Sequence, residues 1–309
     1  FSYDIFSQGA QAVRNPVGLD PLDGLQVERM IAVGQSQSAG RLATYYNAVH
    51  PTIDLFDGFV IHGRGRGNSS GLSAAPQAEV PTPTPVFIRT DLPEPVIALQ
   101  NETDVPGSIA ARQADSSAYR MWEVTGSAHT DLYTTLIGNT DRGDDPTFAD
   151  VKEQNDARPP FIFCGIPVND GPGHWVANAA IATLDNWIRS GEPAPSAPLM
   201  DWNTEQADFE LDERGNAKGG IRTPWVDAPV AVLRGTGQPP ADAFCNLLGT
   251  TERFDEGQLA ALYPDKQAYI DAIDAATDSA VDAGFLLPKD AELIKARART
   301  SPLPTSHPD

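Results

Sequence analysis

Three short stretches of this chain carry side chains that could do chemistry together. Ser36 stands in Gly34-Gln35-Ser36-Gln37-Ser38, between the apolar run Val27 to Val33 and the periodic segment RLATYYNAVH. A serine on a sharp strand-to-helix turn has its hydroxyl raised clear of the backbone, and the amide after it is free to donate to an oxyanion. The pattern is G-x-S-x-G with Ser38 in place of the last glycine. Read one frame along, Ser38 becomes central, but it would then sit inside the first helical turn. Ser36 is therefore the candidate nucleophile, and the backbone amide of Gln37 the candidate oxyanion donor. The plain alternative is a Gly/Ser-rich turn without catalysis. A phosphate loop is the weaker reading, because neither G-x-x-x-x-G-K-[ST] nor G-x-G-x-x-G follows a strand.

A serine of this kind needs a base and a carboxylate, each on a loop after a later strand. His129, in GSAHTD, lies four residues beyond the alternating run YRMWEVT and is the candidate base. His50 and His62 read as boundary residues at the ends of a helix and a strand. His174 competes, since it opens a helix after a Gly/Pro loop, but it lies a whole excursion farther along. Asp104 and Glu102 share the loop after PVIALQ, and either could orient the imidazole. Asp104 has the favoured offset, with Glu102 as the alternative acid. Pairing of a neighbour with Arg112 or Arg120 is the structural reading of that loop.

The elements that must position these residues follow from periodicity. Strands are expected over Val27–Val33, Asp57–His62, Pro95–Gln100 and Tyr119–Thr125. One helical face is expected to carry Leu42, Tyr45, Tyr46 and Val49, and a long helix Val176, Ala180, Leu184, Trp187 and Ile188. A short helix is expected over Ile109–Asp115, a long connection over 63–85 and a surface excursion near 138–160. Beyond 201 short extended segments surround a Gly-Asn turn, and 256–299 reads as two or three helices. Residues 1–200 thus form a core and 201–309 an extension packed on the same domain.

Composition bounds the partners. With 42 acidic and 22 basic residues, the net charge of -20 opposes binding to nucleic acid. No run is long and apolar enough for an integral membrane segment. Cys164 and Cys245 could form one long-range bridge in an exported protein or remain two buried thiols; a periplasmic or secreted location is slightly favoured. No cofactor is expected, and no metal, because the acidic clusters lack a histidine or cysteine at ligand spacing. Trp122, Trp175, Trp202 and Trp225 could line an apolar pocket, although scattered aromatics more often belong to a core.

The segments SYDIFSQ, GQSQSAGRL, YNAVHP, DGF, ETDV, WEVTGSAHTD, GNAKGGIRTP and LAALYPDKQAYI, in that order, resemble a family of bacterial α/β-hydrolase domain proteins within the serine hydrolase superfamily. The resemblance spans nearly the whole chain and includes the S-Q-S form of the turn. It implies an α/β class fold with a mostly parallel sheet flanked by helices and a mixed C-terminal extension, with the Ser36 and His129 roles; it implies no substrate. The expected activity is cleavage of a small-molecule carboxylic ester through an acyl-enzyme, with amidase, lactonase or acyltransferase chemistry, or a non-catalytic binding role, as alternatives. This fold places four strands ahead of the nucleophile strand, and a second oxyanion donor comes from a loop among them. Only 26 residues precede Val27. The expectation is that an N-terminal segment of the same precursor, or a companion chain, supplies both.

Overall fold

The computed structural model describes residues 1–65, 81, 83–136, 138, 141–142, 164–239 and 244–303. Most of the expected connection at 63–85 and of the excursion at 138–160 lies outside them. The chain forms two compact units of interleaved segments. The first comprises Phe1–Leu99, Gly107–Met121 and Ile181–Ser196; the second comprises Gln100–Pro106, Trp122–Ala180 and Ala197–Asp309.

The first unit opens with α1 (Ser2–Arg14), whose Ser7 bonds to Tyr45 Oη at 2.9 Å. Next come β1 (Ile31–Gln35), α2 (Gln37–Thr44), a π-helical turn over Tyr45–Val49, α3 (His50–Ile53) and β2 (Gly58–His62). The strands β3 (Val96–Asn101) and β4 (Tyr119–Val124) complete a sheet of order β1-β2-β3-β4, in which β1 pairs with β2 and β2 with β3 in parallel. All of β3 is buried, as expected of a parallel strand covered on both faces. The first strand, β1, begins at Ile31 rather than Val27. The reason is local: Met30 N–H donates to the Asp57 carboxylate at 2.6 Å, and its carbonyl accepts Asp57 N–H. Leu42, Tyr45 and Tyr46 are buried together as the periodicity requires. The helix widens there because Pro51 has no N–H with which to continue the i to i−4 ladder.

The second unit holds α4 (Val105–Ser108), α5 (Leu132–Leu136) and, after the undescribed stretch, the first part of α6 (Gly173–Ser190). The helix expected over Ile109–Asp115 is replaced by α4 and a single 3-10 turn ending at Ala111. The extension contains the small antiparallel pairs β5 (Trp202–Asn203) with β6 (Asp208–Phe209) and β7 (Ala231–Arg234) with β8 (Thr250–Arg253). The expected Gly-Asn turn is present: Gly215 N–H donates to Asp212 C=O, and Asn216 C=O accepts Asp212 N–H. Between β6 and β7 lies α7 (Pro224–Asp227); the tail is α8 (Glu256–Leu262), α9 (Lys266–Asp282) and α10 (Pro288–Thr300). Among the described residues no helix is long and apolar enough to cross a membrane.

Trp122, Trp175 and Trp225 are core, and Trp202 is half-buried. Trp175 and Trp225 share a buried cluster with Leu233, Ile273 and Ile294, Trp122 packs edge-on against Phe285, and Trp202 against Phe209. Trp225 also donates its indole N–H to Asp170 C=O at 2.9 Å. Trp225→Ala should therefore cost about 3–5 kcal/mol of stability in urea unfolding. Trp225→Phe, which keeps one six-membered ring but loses the rest of the indole and its hydrogen bond, should cost less than the alanine change and more than the roughly 1 kcal/mol of the hydrogen bond alone.

Candidate active site

Ser36 occupies the turn between β1 and α2. Its φ of 59° and ψ of −123° are sterically costly for a residue with a Cβ, by about 1–3 kcal/mol. The strain is held by neighbours: Ser36 N–H donates to His62 C=O at 3.0 Å, and its carbonyl accepts Ala39 N–H at 3.0 Å. Gly34 is required here, since a Cβ would stand 2.7 Å from the Ser38 carbonyl oxygen. Ser38 is exposed, so its side chain fits where the common pattern has glycine. The amide of Gln37 is the first of α2, and no intrahelical carbonyl can accept it. Beside the turn, within the first unit, a cavity of about 320 Å³ is lined by Tyr3, Phe6, Val33, Leu42 and Tyr45, with Arg41 at its wall.

The second unit holds the histidine and both carboxylates. Nδ1 of His129 lies 2.7 Å from Asp104 Oδ1, and the Asn101 amide donates to Asp104 Oδ2 at 3.3 Å. Burial favours the neutral imidazole, but the hydrogen bond and the charge of Asp104 outweigh it and hold the pKa above the ordinary histidine value. Glu102 does not face the ring. It is fully buried, and its two oxygens accept Gly126 N–H at 2.8 Å and Gly235 N–H at 2.9 Å. Burial pushes its carboxyl up to about 7, against the opposing pull of those two amides.

Other residues of the loop's setting left no trace in local sequence. Thr103 Oγ1 accepts His129 N–H at 2.9 Å and donates to Gly235 C=O. Asp131 caps α5 by accepting both the Thr134 N–H and its hydroxyl. Arg120 bonds the carbonyls of Ser116, Tyr119 and Ala194 and stands 3.7 Å from the Asp115 carboxylate.

The remaining histidines have other surroundings. His62 ends β2. His174 stacks on Tyr133 with ring centroids 3.5 Å apart; both ring nitrogens are enclosed without a hydrogen bond, and burial lowers its pKa to about 3. His50 faces Glu94 across 3.3 Å, and with Asp54 they form a group, among the described residues, whose ligand atoms come close enough for a cation; sequence spacing did not bring Glu94 to the other two. Cys164 and Cys245 are joined as a disulfide.

The sequence profile of the alpha/beta hydrolase domain family matches residues 1–296. No curated protein and no solved structure matches the chain.

Two buried groups set opposite pH dependences. Unfolded His174 gains its proton near the ordinary value of 6.5 and the folded one only near 3. Stability is therefore complete above about 6.5 and falls toward pH 3, by about 1.4 kcal/mol per pH unit. Glu102 is raised, so its contribution is complete below the ordinary 4.5 and is lost as pH rises through about 7. Urea titrations across pH should show His174→Phe flattening the acid side and Glu102→Gln flattening the neutral side; unchanged slopes would refute these assignments.

Proposed function

The chain belongs to the α/β-hydrolase domain family, and from that premise we propose that it is a serine-dependent hydrolase of carboxylic esters. The family supports hydrolase activity. The observation that carries the finer reading is the His129–Asp104 pair; a serine turn elsewhere in the chain, whose backbone is strained in the manner an exposed nucleophile requires, supports it.

In this reading Ser36 Oγ attacks the ester carbonyl while His129 takes its proton. The oxygen that becomes negative is met by the Gln37 amide at the start of α2, where the helix dipole adds to the attraction. His129 then protonates the departing alkoxide, leaving an acyl group on Ser36. Water, activated by the same imidazole, releases the acid and restores the serine. Asp104 fixes the tautomer and stabilises the imidazolium without itself taking the proton. Glu102 acts on the backbone rather than the ring. The aromatic cavity beside Gly34 supports an ester with an apolar group.

The reading includes a further polypeptide, either an earlier segment of the same precursor or a companion chain, that adds to β1 and brings the second oxyanion donor. Its support is that β1 is an edge strand among the described residues and leaves Val33 53% exposed. It also includes export to the periplasm or beyond, supported by the disulfide.

A fluorophosphonate is expected to label Ser36 in the protein assembled with any such partner, and Ser36→Ala to abolish both labelling and hydrolysis of a short-chain aryl ester. Label on Ser38 would move the nucleophile, and a folded, complete protein that takes no label would favour a binding role. Among the carboxylates, Asp104→Asn should lower kcat by about 10³–10⁴. Glu102→Gln keeps one acceptor for the two amides and should cost far less; the reverse ranking would transfer the role of acid to Glu102.

A further inference from the structure

Besides the bonds of Gly126 N–H to Glu102 and of His129 N–H to Thr103, the loop that carries His129 has three backbone ties to later segments of the chain. Gly126 C=O accepts the Asn169 side-chain amide at 3.1 Å, Thr130 N–H donates to Leu247 C=O at 3.0 Å, and Leu132 N–H donates to Asn169 C=O at 2.8 Å. These points bracket the histidine on both sides. Their partners come from two segments far apart in sequence: the strip 164–169 and the turn 245–248. Asn169 N–H joins the two by donating to Leu248 C=O at 2.9 Å. The Cys164–Cys245 bridge ties them covalently across 81 residues, and Leu132, Val168 and Leu248 pack with the two half-cystines in one buried cluster.

We propose that the Cys164–Cys245 disulfide is a positioning element for His129, so that turnover depends on the bridge being oxidised. The inference rests on the reading of His129 as the catalytic base. The three anchors are hydrogen bonds to segments that the bridge joins covalently; the other ties there are Asn169 N–H, apolar packing, the bonds of Thr251 to the carbonyls of Pro167 and Val168, and the Gln238 amide shared between the carbonyls of Ile166 and Gly249, none of them covalent. A base displaced by a fraction of its hydrogen-bond reach loses far more rate than binding, because proton transfer depends steeply on geometry. Reduction by a dithiol breaks the sulfur–sulfur bond: two electrons and two protons pass from the reductant, the protein gains two thiols and the reductant closes to a cyclic disulfide.

The test compares the protein, assembled with any partner it needs, before and after dithiothreitol, with loss of the bridge verified by thiol labelling and intact mass. Active sites are counted by end-point fluorophosphonate labelling, so that any unfolded fraction drops out. Per labelled site, kcat for an aryl ester should fall about tenfold, with KM held within about twofold. Reoxidation with glutathione disulfide should restore it, and Cys164→Ala/Cys245→Ala should reproduce the reduced state without responding to either reagent. A bridge that merely supports the fold would lower the number of labelled sites and leave the rate at each one unchanged; that result overturns the inference. An oxidised protein that labels but hydrolyses no ester removes the reading of His129 as base, and this inference with it.

Discussion

A carboxylate placed 2.7 Å from an imidazole inside a protein is useful only if it has nothing better to do. Asp104 is nearly enclosed, and burying a charge is costly unless hydrogen bonds replace the lost water. One of its oxygens is given to His129 and the other accepts from the Asn101 amide, and these bonds also fix the direction in which the carboxylate points. Much of the surrounding architecture serves this one contact. The end of β3 delivers Asn101 and Asp104, the end of β4 delivers the loop with His129, and each loop is tied down by groups from later in the chain.

The ties differ in chemistry from the contact they protect. Glu102 and Thr103 stand between Asn101 and Asp104 in sequence, yet their side chains are spent on backbone: Glu102 on the amides of Gly126 and Gly235, Thr103 on His129 N–H and Gly235 C=O. Gly235 must be glycine for this, because a Cβ there would stand 2.2 Å from the Thr103 nitrogen. The loop holding the acid and the loop holding the histidine thus meet on a third segment rather than on each other alone. A buried network in which each polar group has a partner is stiff, and stiffness is what an imidazole requires if its ring is to stay in one orientation.

The four main strands, the strand-to-helix turn at Ser36 and the helix beginning near His174 were legible in the sequence because each is set by residues within a few positions of one another. Gly34 is a case in point: its need for no side chain comes from Ser38, four residues on. The start of β1 was not legible, because Met30 is claimed by Asp57, 27 residues away. Nor were the anchors of the His129 loop, since Asn169, Gly235 and Leu247 are distant in the chain and ordinary in their own surroundings. The cysteines could be counted, but pairing depends on whether two loops fold back to within reach, and nothing local encodes that.

The two acids of the ETDV loop show why composition alone leaves roles open. Glu102 and Asp104 are two residues apart, carry the same functional group and are both buried. Their difference lies wholly in what surrounds each one. Two amide N–H groups stabilise a negative charge but carry none themselves, so burial prevails at Glu102 and its carboxyl is raised to about 7. Asp104 faces a group that becomes a cation, and its hydrogen bond and charge favour the protonated imidazole. A carboxylate opposite a titrating imidazole gains most when the imidazole is protonated, the condition that arises while a serine proton is being held. Glu102 faces two backbone amides instead of the imidazole, and the nearby Arg234 charge does not offset its burial. The same side-chain chemistry therefore yields a brace at one position and an electrostatic partner at the other, and the division is made by tertiary structure.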